Sequence, residues 1–332
     1  MTETLFLSSG ELTDLAAPAD YVDAVREAYR QVGEGAPAAP RTSLFADDPP
    51  GMLTSYEAVL PETGGMGGYT YAAGFEAGDA WFLTPLFDAE TGEPLAILDG
   101  AAMNPYKTGA AGAVAVDALA REDAETVAVI GSGPQARGQL ATTATVREFS
   151  TGRVFSPTPD HREAYAEEMS ERTGIEIEAV DSAAAAVTDA DVVITATTAA
   201  EPVVDAADLA PGAHVTAMGQ YDPDKRELDH ETIRRATYVP DLRARASQDA
   251  GSFLSAVAAD VVDEDHIHAE LGEVVAGAAA GRTSETELTV FDSGGTGIET
   301  VAAAQLLYER AVEAGRGTTL DVAPASEALT GR

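Results

Sequence analysis

The chain has 332 residues, 45% of them apolar, which suffices for two globular domains with sizeable cores. Fifty-six acidic against twenty basic residues give a formal charge of −36, a field that repels nucleic acid and anionic membranes. With no cysteine there is neither a disulfide framework nor a thiol nucleophile.

The first stretch, MTETLFLSSGELTDL, lacks the basic start and long apolar core of a secretion signal, and no run of eighteen apolar residues follows. A cytoplasmic protein is expected. Val22, Val25, Ala28, Tyr29 and Val32 recur at helical spacing and predict an amphipathic helix over Asp20–Val32. After the segment APAAPR come strand-like pieces at Arg41–Phe45, Gly51–Val59, Met66–Ala72, Asp79–Phe87 and Leu95–Asp99, with a hairpin signal at Asp88–Glu93. Residues 35–99 therefore read as a small, mostly antiparallel sheet. Asn104 and Pro105 open a predicted helix to Ala120, which puts Lys107 near its N-terminus. An ammonium there is opposed by the helix dipole unless an anion shares the spot.

From Arg121 the rhythm changes to strand 126–130, helix 134–148, strand Arg153–Ser156, helix 160–173 and strand Ile175–Val180. A short helix from Ser182, strands Asp191–Ala196 and His214–Met218, a helix over 229–235 and a strand Thr237–Val239 follow. Alternation of this kind predicts an α/β fold with a parallel, doubly wound sheet. The last third reads as helical over Ser252–Ala280, then a strand Leu288–Phe291, a turn Asp292–Gly297, a helix through Gly315 and a polar, loosely ordered tail after Arg316.

Within this rhythm the stretch VAVIGSGPQA is a buried strand entering a helix through a glycine turn. The first N–H groups of such a helix are unpaired and carry the positive end of its dipole, which suits a pyrophosphate. Gly131 permits the tight turn, Gly133 lets backbone approach the phosphates, and Ala136 lets the helix pack on the strand. At the end of the next strand the chain reads Phe155-Ser156-Pro157-Thr158, without the carboxylate that NAD enzymes present to ribose hydroxyls. Ser156, Thr158 and Arg162 could bind a 2′-phosphate, so the reading leans to NADP over NAD.

Lysine occurs twice, at Lys107 and Lys225, against eighteen arginines, so an ammonium is read as required at those two places. Scarce lysine with acids spread along the chain is also the pattern of halophilic proteins, where screening acts over about 3 Å at 1 M salt. His266 and His268 stand two apart, a spacing at which helical side chains do not face each other, and no metal site is expected.

Taken together, Lys107-Thr108-Gly109-Ala110-Ala111, VAVIGSGPQA, ADVVITATT, MGQYDPDKREL, LGEVVAG and FDSGGTGIETVAAA resemble the ornithine cyclodeaminase and mu-crystallin family, in the family's order and nearly along the whole chain. The resemblance implies a Rossmann domain (121–298) inserted into a smaller α+β substrate and dimerisation domain (1–120 with 299–332), a nicotinamide cofactor, a small amino or imino acid substrate and a homodimer. It implies that Arg41 clamps a substrate carboxylate. Thr108, Gly131, Ser132, Gly133, Gln135, Ala136, Thr197, Met218, Gly219, Lys225, Ser293 and Gly295 are implied in cofactor binding. Tyr69 stands where the family has a carboxylate-binding lysine, Lys107 where it has an arginine, and Tyr221, with Asp222 beside it, where cyclodeaminases have an aspartate.

Hydride transfer is the chemistry this pattern supports best, of the alanine dehydrogenase or ketimine reductase type. Arg41, Lys107 and Tyr69 are the candidate substrate-binding residues, and Lys107, Tyr69, Asp222 and Asp292 the candidate catalytic ones. The alternatives are a cyclodeaminase turning ornithine into proline and ammonia, and a non-catalytic NADPH-binding protein like the crystallin member.

Overall fold

The computed structural model describes residues 2–219 and 221–330; Gln220, within the MGQYDPDKREL motif, lies outside them. Contacts divide the chain into two compact units, Met1–Asn104 with Thr296–Arg332, and Pro105–Gly295.

The first unit begins with β1 (Thr2–Leu7), the single turn α1 (Ser9–Leu12) and the amphipathic α2 (Pro18–Gly33). In α2, Pro18 occupies the first turn and the Asp20 carboxylate accepts the Ala17 N–H at 2.8 Å, while Tyr21, Val22, Val25, Ala28 and Tyr29 fill the buried stripe. The strands β2 (Thr42–Asp47), β3 (Pro50–Leu60), β4 (Gly65–Ala73), β5 (Ala80–Asp88) and β6 (Pro94–Asp99) form an antiparallel meander. The β5–β6 turn closes where the sequence places it, the Asp88 N–H donating to the Glu93 carbonyl with Gly92 at φ +77°.

From its second residue on, α3 (Asn104–Leu119) belongs to the second unit, and it is buried from Lys107 to Val116 on every side, as expected of a helix without a polar face. Then follow β7 (Thr126–Ile130), α4 (Pro134–Thr143), β8 (Thr151–Phe155), α5 (Pro159–Thr173), β9 (Glu176–Ala179), α6 (Ala183–Val187), β10 (Val192–Thr195), β11 (His214–Ala217), α7 (His230–Arg235), β12 (Thr237–Pro240), α8 (Arg243–Asp249), α9 (Gly251–Ala258), α10 (Leu271–Val275) and β13 (Thr289–Asp292). The strands pair in parallel in the order β12-β13-β11-β10-β7-β8-β9. Alternate residues of β7 face opposite cores: Ala128 and Ile130 join Val193 and Val215, while Val127 and Val129 join Val154, Val192 and Ile194. Burial on both faces explains why these strands are continuous apolar runs.

The chain then returns to the first unit with α11 (Gly297–Ala314), β14 (Thr318–Val322) and α12 (Ala325–Thr330). β14 pairs antiparallel with β1, which also pairs in parallel with β6, completing the sheet order β14-β1-β6-β5-β4-β3-β2. This corrects the loosely ordered tail expected after Arg316. The helix expected over Ser252–Ala280 is also corrected, since α9 stops at Ala258 and a bridge between Ile267 and Tyr238 draws the next residues alongside β12. Among the described residues no helix is long and apolar enough to cross a membrane.

Candidate active site

In the parallel sheet the winding reverses between β7 and β10, so the crevice beyond their C-terminal ends is the place where α/β folds of this kind bind ligands. Gly131 follows β7 with φ +119°, and a Cβ there would run into the Ala196 carbonyl at the end of β10. Only glycine serves. Its N–H donates to the Phe155 carbonyl at 2.8 Å, and the next residue, Ser132, donates its hydroxyl to Ser156 at 3.0 Å, so the glycine turn is tied to the end of β8 at two points. Gly133 caps α4 with open space where a side chain would stand, and Pro134 takes the first helical position. The turn is further held by Arg137, which donates to the Ser132 carbonyl and lies over the Tyr165 ring, whose hydroxyl donates to Ala136 O at 3.0 Å. A cap without a side chain, at the N-terminus of a ten-residue helix, is backbone that a pyrophosphate can approach.

Around this turn the helix α3 is joined to α4 by the Thr108 hydroxyl, which donates to Gln135 Oε1 at 2.6 Å, and by Gln139, which donates to the Thr108 carbonyl at 3.0 Å. Lys107, one residue before, is fully buried. At the end of β8, Arg162 stacks on the Phe155 ring at 5.9 Å, donates to the Ser156 carbonyl at 3.2 Å and pairs with the exposed Asp181. Thr158 precedes α5 as its cap.

The far side of the crevice is organised by a residue that the sequence reading passed over. Glu227 is buried, and its carboxylate accepts from Thr195 Oγ1 at 2.9 Å, the Thr197 N–H at 2.8 Å, Thr197 Oγ1 at 2.7 Å and the Gly219 N–H at 2.8 Å. Burial pushes its pKa up from the ordinary carboxylate value, and the donors pull it back. Met218 lies beside Gly219, its N–H donating to the Thr195 carbonyl. Beyond them Lys225 sits on an exposed turn, its ammonium 3.2 Å from the Asp222 carboxylate, both side chains more than a third exposed. Tyr221 is also exposed.

Asp292 sits in a buried cluster of ion pairs. Its carboxylate lies 2.7 Å from Arg245, a fully buried guanidinium that also holds Asp241 at 2.7 Å and Asp249 at 3.4 Å. Burial works against the Arg245 charge, but the three carboxylates outweigh it and its pKa rises; burial likewise raises Asp292, against the pull of Arg245. Asp241 also accepts the Gly294 N–H at 2.8 Å, and the Ser293 N–H donates to Ala217 O at 2.9 Å. The cluster therefore fixes the turn carrying Ser293, Gly294 and Gly295, the last at φ +80°. Asp292, a candidate catalytic residue by sequence, thus belongs to this ion-pair cluster.

In the first unit Arg41 is 7% exposed and lies over the Tyr56 ring at 5.7 Å. Tyr56 meets Tyr69 edge-on at 5.6 Å, and Tyr69 and Tyr71 both pack on Phe82. The Tyr69 hydroxyl donates to the Gly100 carbonyl at 2.8 Å, and burial pushes its pKa well above the ordinary phenol value. His266 and His268 face the carbonyls of Ile233 and Ala280, and among the described residues no cluster of three metal-ligating side chains occurs.

The reversed winding and the glycine turn define a dinucleotide-binding protein of the doubly wound α/β class. The chain matches the model of the ornithine cyclodeaminase/mu-crystallin family over residues 2–315 and belongs to that family. It is 34% identical to the alanine dehydrogenase of Archaeoglobus fulgidus over 324 residues, 96% of this chain and 98% of that one. Among solved structures, the Δ1-pyrroline-2-carboxylate reductase of Thermococcus litoralis in complex with NADH and L-proline superposes with a TM-score of 0.90 at 34% identity, covering 96% of this chain and all of that one. An archaeal alanine dehydrogenase dimer with bound NAD gives 0.90 at 31%, covering 97% and 100%.

Proposed function

We propose that this protein is a nicotinamide-dependent oxidoreductase that moves a hydride between its cofactor and the α carbon of a small amino or imino acid. The observation that carries this reading is the crevice of the second unit, where Gly131, Ser132 and Gly133 open the N-terminus of α4 and are clasped to β8 through Ser156. When bound, the nicotinamide supplies or accepts the hydride. The chain binds and orients. Gly133, Gln135 and Ala136 with Thr108 border the pyrophosphate. Thr197, Met218, Gly219, Ser293 and Gly295 border the rest of the dinucleotide, and Lys225 stands on the turn beyond Gly219.

Arg41 holds the substrate carboxylate, a planar anion that a guanidinium fork matches in two parallel hydrogen bonds. Its seat on the Tyr56 ring, edge-packed by Tyr69, fixes the direction of the fork. Lys107 supplies the second cation, and Asp222, on an exposed turn, is the group assigned to move the proton at the substrate nitrogen. Tyr69 is assigned to shape the wall behind Arg41, since its hydroxyl proton is given to Gly100. NADPH is the favoured cofactor, because Arg162 lies at the end of β8 and its pairing with exposed Asp181 is one a 2′-phosphate can displace.

The working form is proposed to be a cytoplasmic homodimer adapted to high salt. In the antiparallel register Leu44, Leu53, Ala72 and Trp81 stand in one row across four strands, with Leu83 two places along on the same face, and the four large residues are 45–67% exposed. Such an apolar face asks for a partner, and a second copy is the occupant proposed. Trp81→Glu is expected to shift the mass measured by light scattering from dimer to monomer; a monomeric wild type in molar KCl overturns this part.

The activity is tested by cofactor absorbance with NADPH and NADH in molar KCl, against pyruvate plus ammonium and against cyclic imino acids, with ammonia release from ornithine assayed in parallel. Oxidation of NADPH by an imino acid is expected. Ammonia from ornithine without net redox change would overturn it in favour of a deaminase, and silence everywhere with tight NADPH binding in favour of a carrier.

A further inference from the structure

Glu227 has no part in the chemistry above, yet it takes four hydrogen bonds from the end of β10 and from the loops that follow β10 and β11. Its Oε1 accepts both the N–H and the hydroxyl of Thr197, which follows β10, and its Oε2 accepts the Thr195 hydroxyl and the Gly219 N–H, which follows β11. The two strand ends are pressed together around this carboxylate: a Cβ on Gly219 would collide with Glu227 Oε1 and with the backbone of Thr197. The sheet order places β10 and β11 on the opposite side of β7 from β8. A dinucleotide crossing the crevice lays its adenosine ribose against β8 and its other half across β10 and β11.

We infer that Glu227 is a positioning residue for the nicotinamide half of the cofactor: it fixes the loops after β10 and β11 and turns two backbone N–H groups and two hydroxyls away from the ligand. The inference rests on the nicotinamide reading given above. The carboxylate is suited to the task because it offers only acceptors to four donors. An amide cannot replace it. Glutamine keeps one acceptor oxygen and turns an NH2 toward two of those donors, so one strand end must let go.

The test compares the full cofactor with ADP-ribose, which carries the adenosine and pyrophosphate but no nicotinamide, using wild type, Glu227→Gln and the near-isosteric Thr195→Val. Dissociation constants are read by fluorescence titration with NADH and NADPH, alongside the melting temperature. For Glu227→Gln the dissociation constant of the better-bound cofactor is expected to rise about tenfold or more while that of ADP-ribose stays within about twofold. Thr195→Val, which removes one of the four donors, is expected to do the same with about a threefold rise. In turnover, the cofactor KM should rise in both while the substrate KM at saturating cofactor holds. Unchanged cofactor binding in Glu227→Gln, or an equal weakening of cofactor and ADP-ribose, overturns the inference; should that variant fail to fold, wild-type cofactor affinity in Thr195→Val overturns it as well. A wild type that binds neither dinucleotide defeats the functional reading itself, a result distinguishable from either.

Discussion

The two units solve the problem of holding a buried arginine in opposite ways. In the second, Arg245 is surrounded by Asp241, Asp249 and Asp292, three carboxylates to one guanidinium, all sealed from water. In the first, Arg41 is seated on a tyrosine ring at 5.7 Å within an aromatic cluster. Charges gathered around a guanidinium lock a turn in place. An aromatic seat orients the side chain without an opposing charge from the ring. On the function proposed above, the difference is that between an arginine that supports a site and one that serves it.

Replacing Arg245 tests the first half of this contrast. Arg245→Met leaves three buried carboxylates without their cation and is expected to destabilise the second unit by about 3–5 kcal/mol, read by denaturant unfolding. A loss under about 1 kcal/mol would break the comparison. Arg41→Ala tests the other half: the substrate KM is expected to rise by about 100-fold, roughly 2.7 kcal/mol, with the cofactor dissociation constant unchanged.

The contrast extends to pH. His214, buried in β11 between Thr289 Oγ1 at 2.9 Å and Thr216 Oγ1 at 3.1 Å, has its pKa lowered to about 3, chiefly by burial and then by Arg282 and Arg147. The folded imidazole is therefore neutral, while the unfolded chain takes up a proton below its ordinary value near 6.5. Stability from this group is complete above that value and falls as pH drops toward 3, by about 1.4 kcal/mol per pH unit. His214→Gln is expected to flatten the fall measured between pH 6 and 4, a window set by those two values; an unchanged slope would remove the charge-sensitive core from the account. The smallest effect is expected for Tyr69→Phe, which removes the bond to Gly100: a loss of about 1 kcal/mol with kcat held. A large drop in kcat would return Tyr69 to the chemistry.

Much of the second unit was legible because its signals are local. Thr126–Ile130, the glycine turn and the following helix lie within eighteen consecutive residues, and each states its conformation through nearby chemistry. What was missed depends on distant partners. Glu227 sits inside a motif already singled out, but nothing adjacent reveals that Thr195 and Thr197 donate to it. The spacing of Asp241, Arg245 and Asp249 shows i,i+4 pairing, yet a polar helix face ordinarily predicts solvent, so its burial could not be read. In sequence β14 reads as a tail because its partner β1 lies some three hundred residues earlier. The alanine- and valine-rich run after Ser252 satisfies helical periodicity, but the helix ends at Ala258 and the His266 and His268 rings meet the distant carbonyls of Ile233 and Ala280, partners that spacing along the chain does not reveal.

The return of α11 and β14 to the first unit bears on how the molecule is made. A chain emerging from the ribosome delivers all of 105–295 before it delivers those two elements. The second unit can reach its native contacts while β1 still lacks an edge partner and β3 and β4 still lack α11. The tyrosine-lined sheet is thus the last part of the protein to have all its partner elements synthesised, and until then β1 is an open sheet edge.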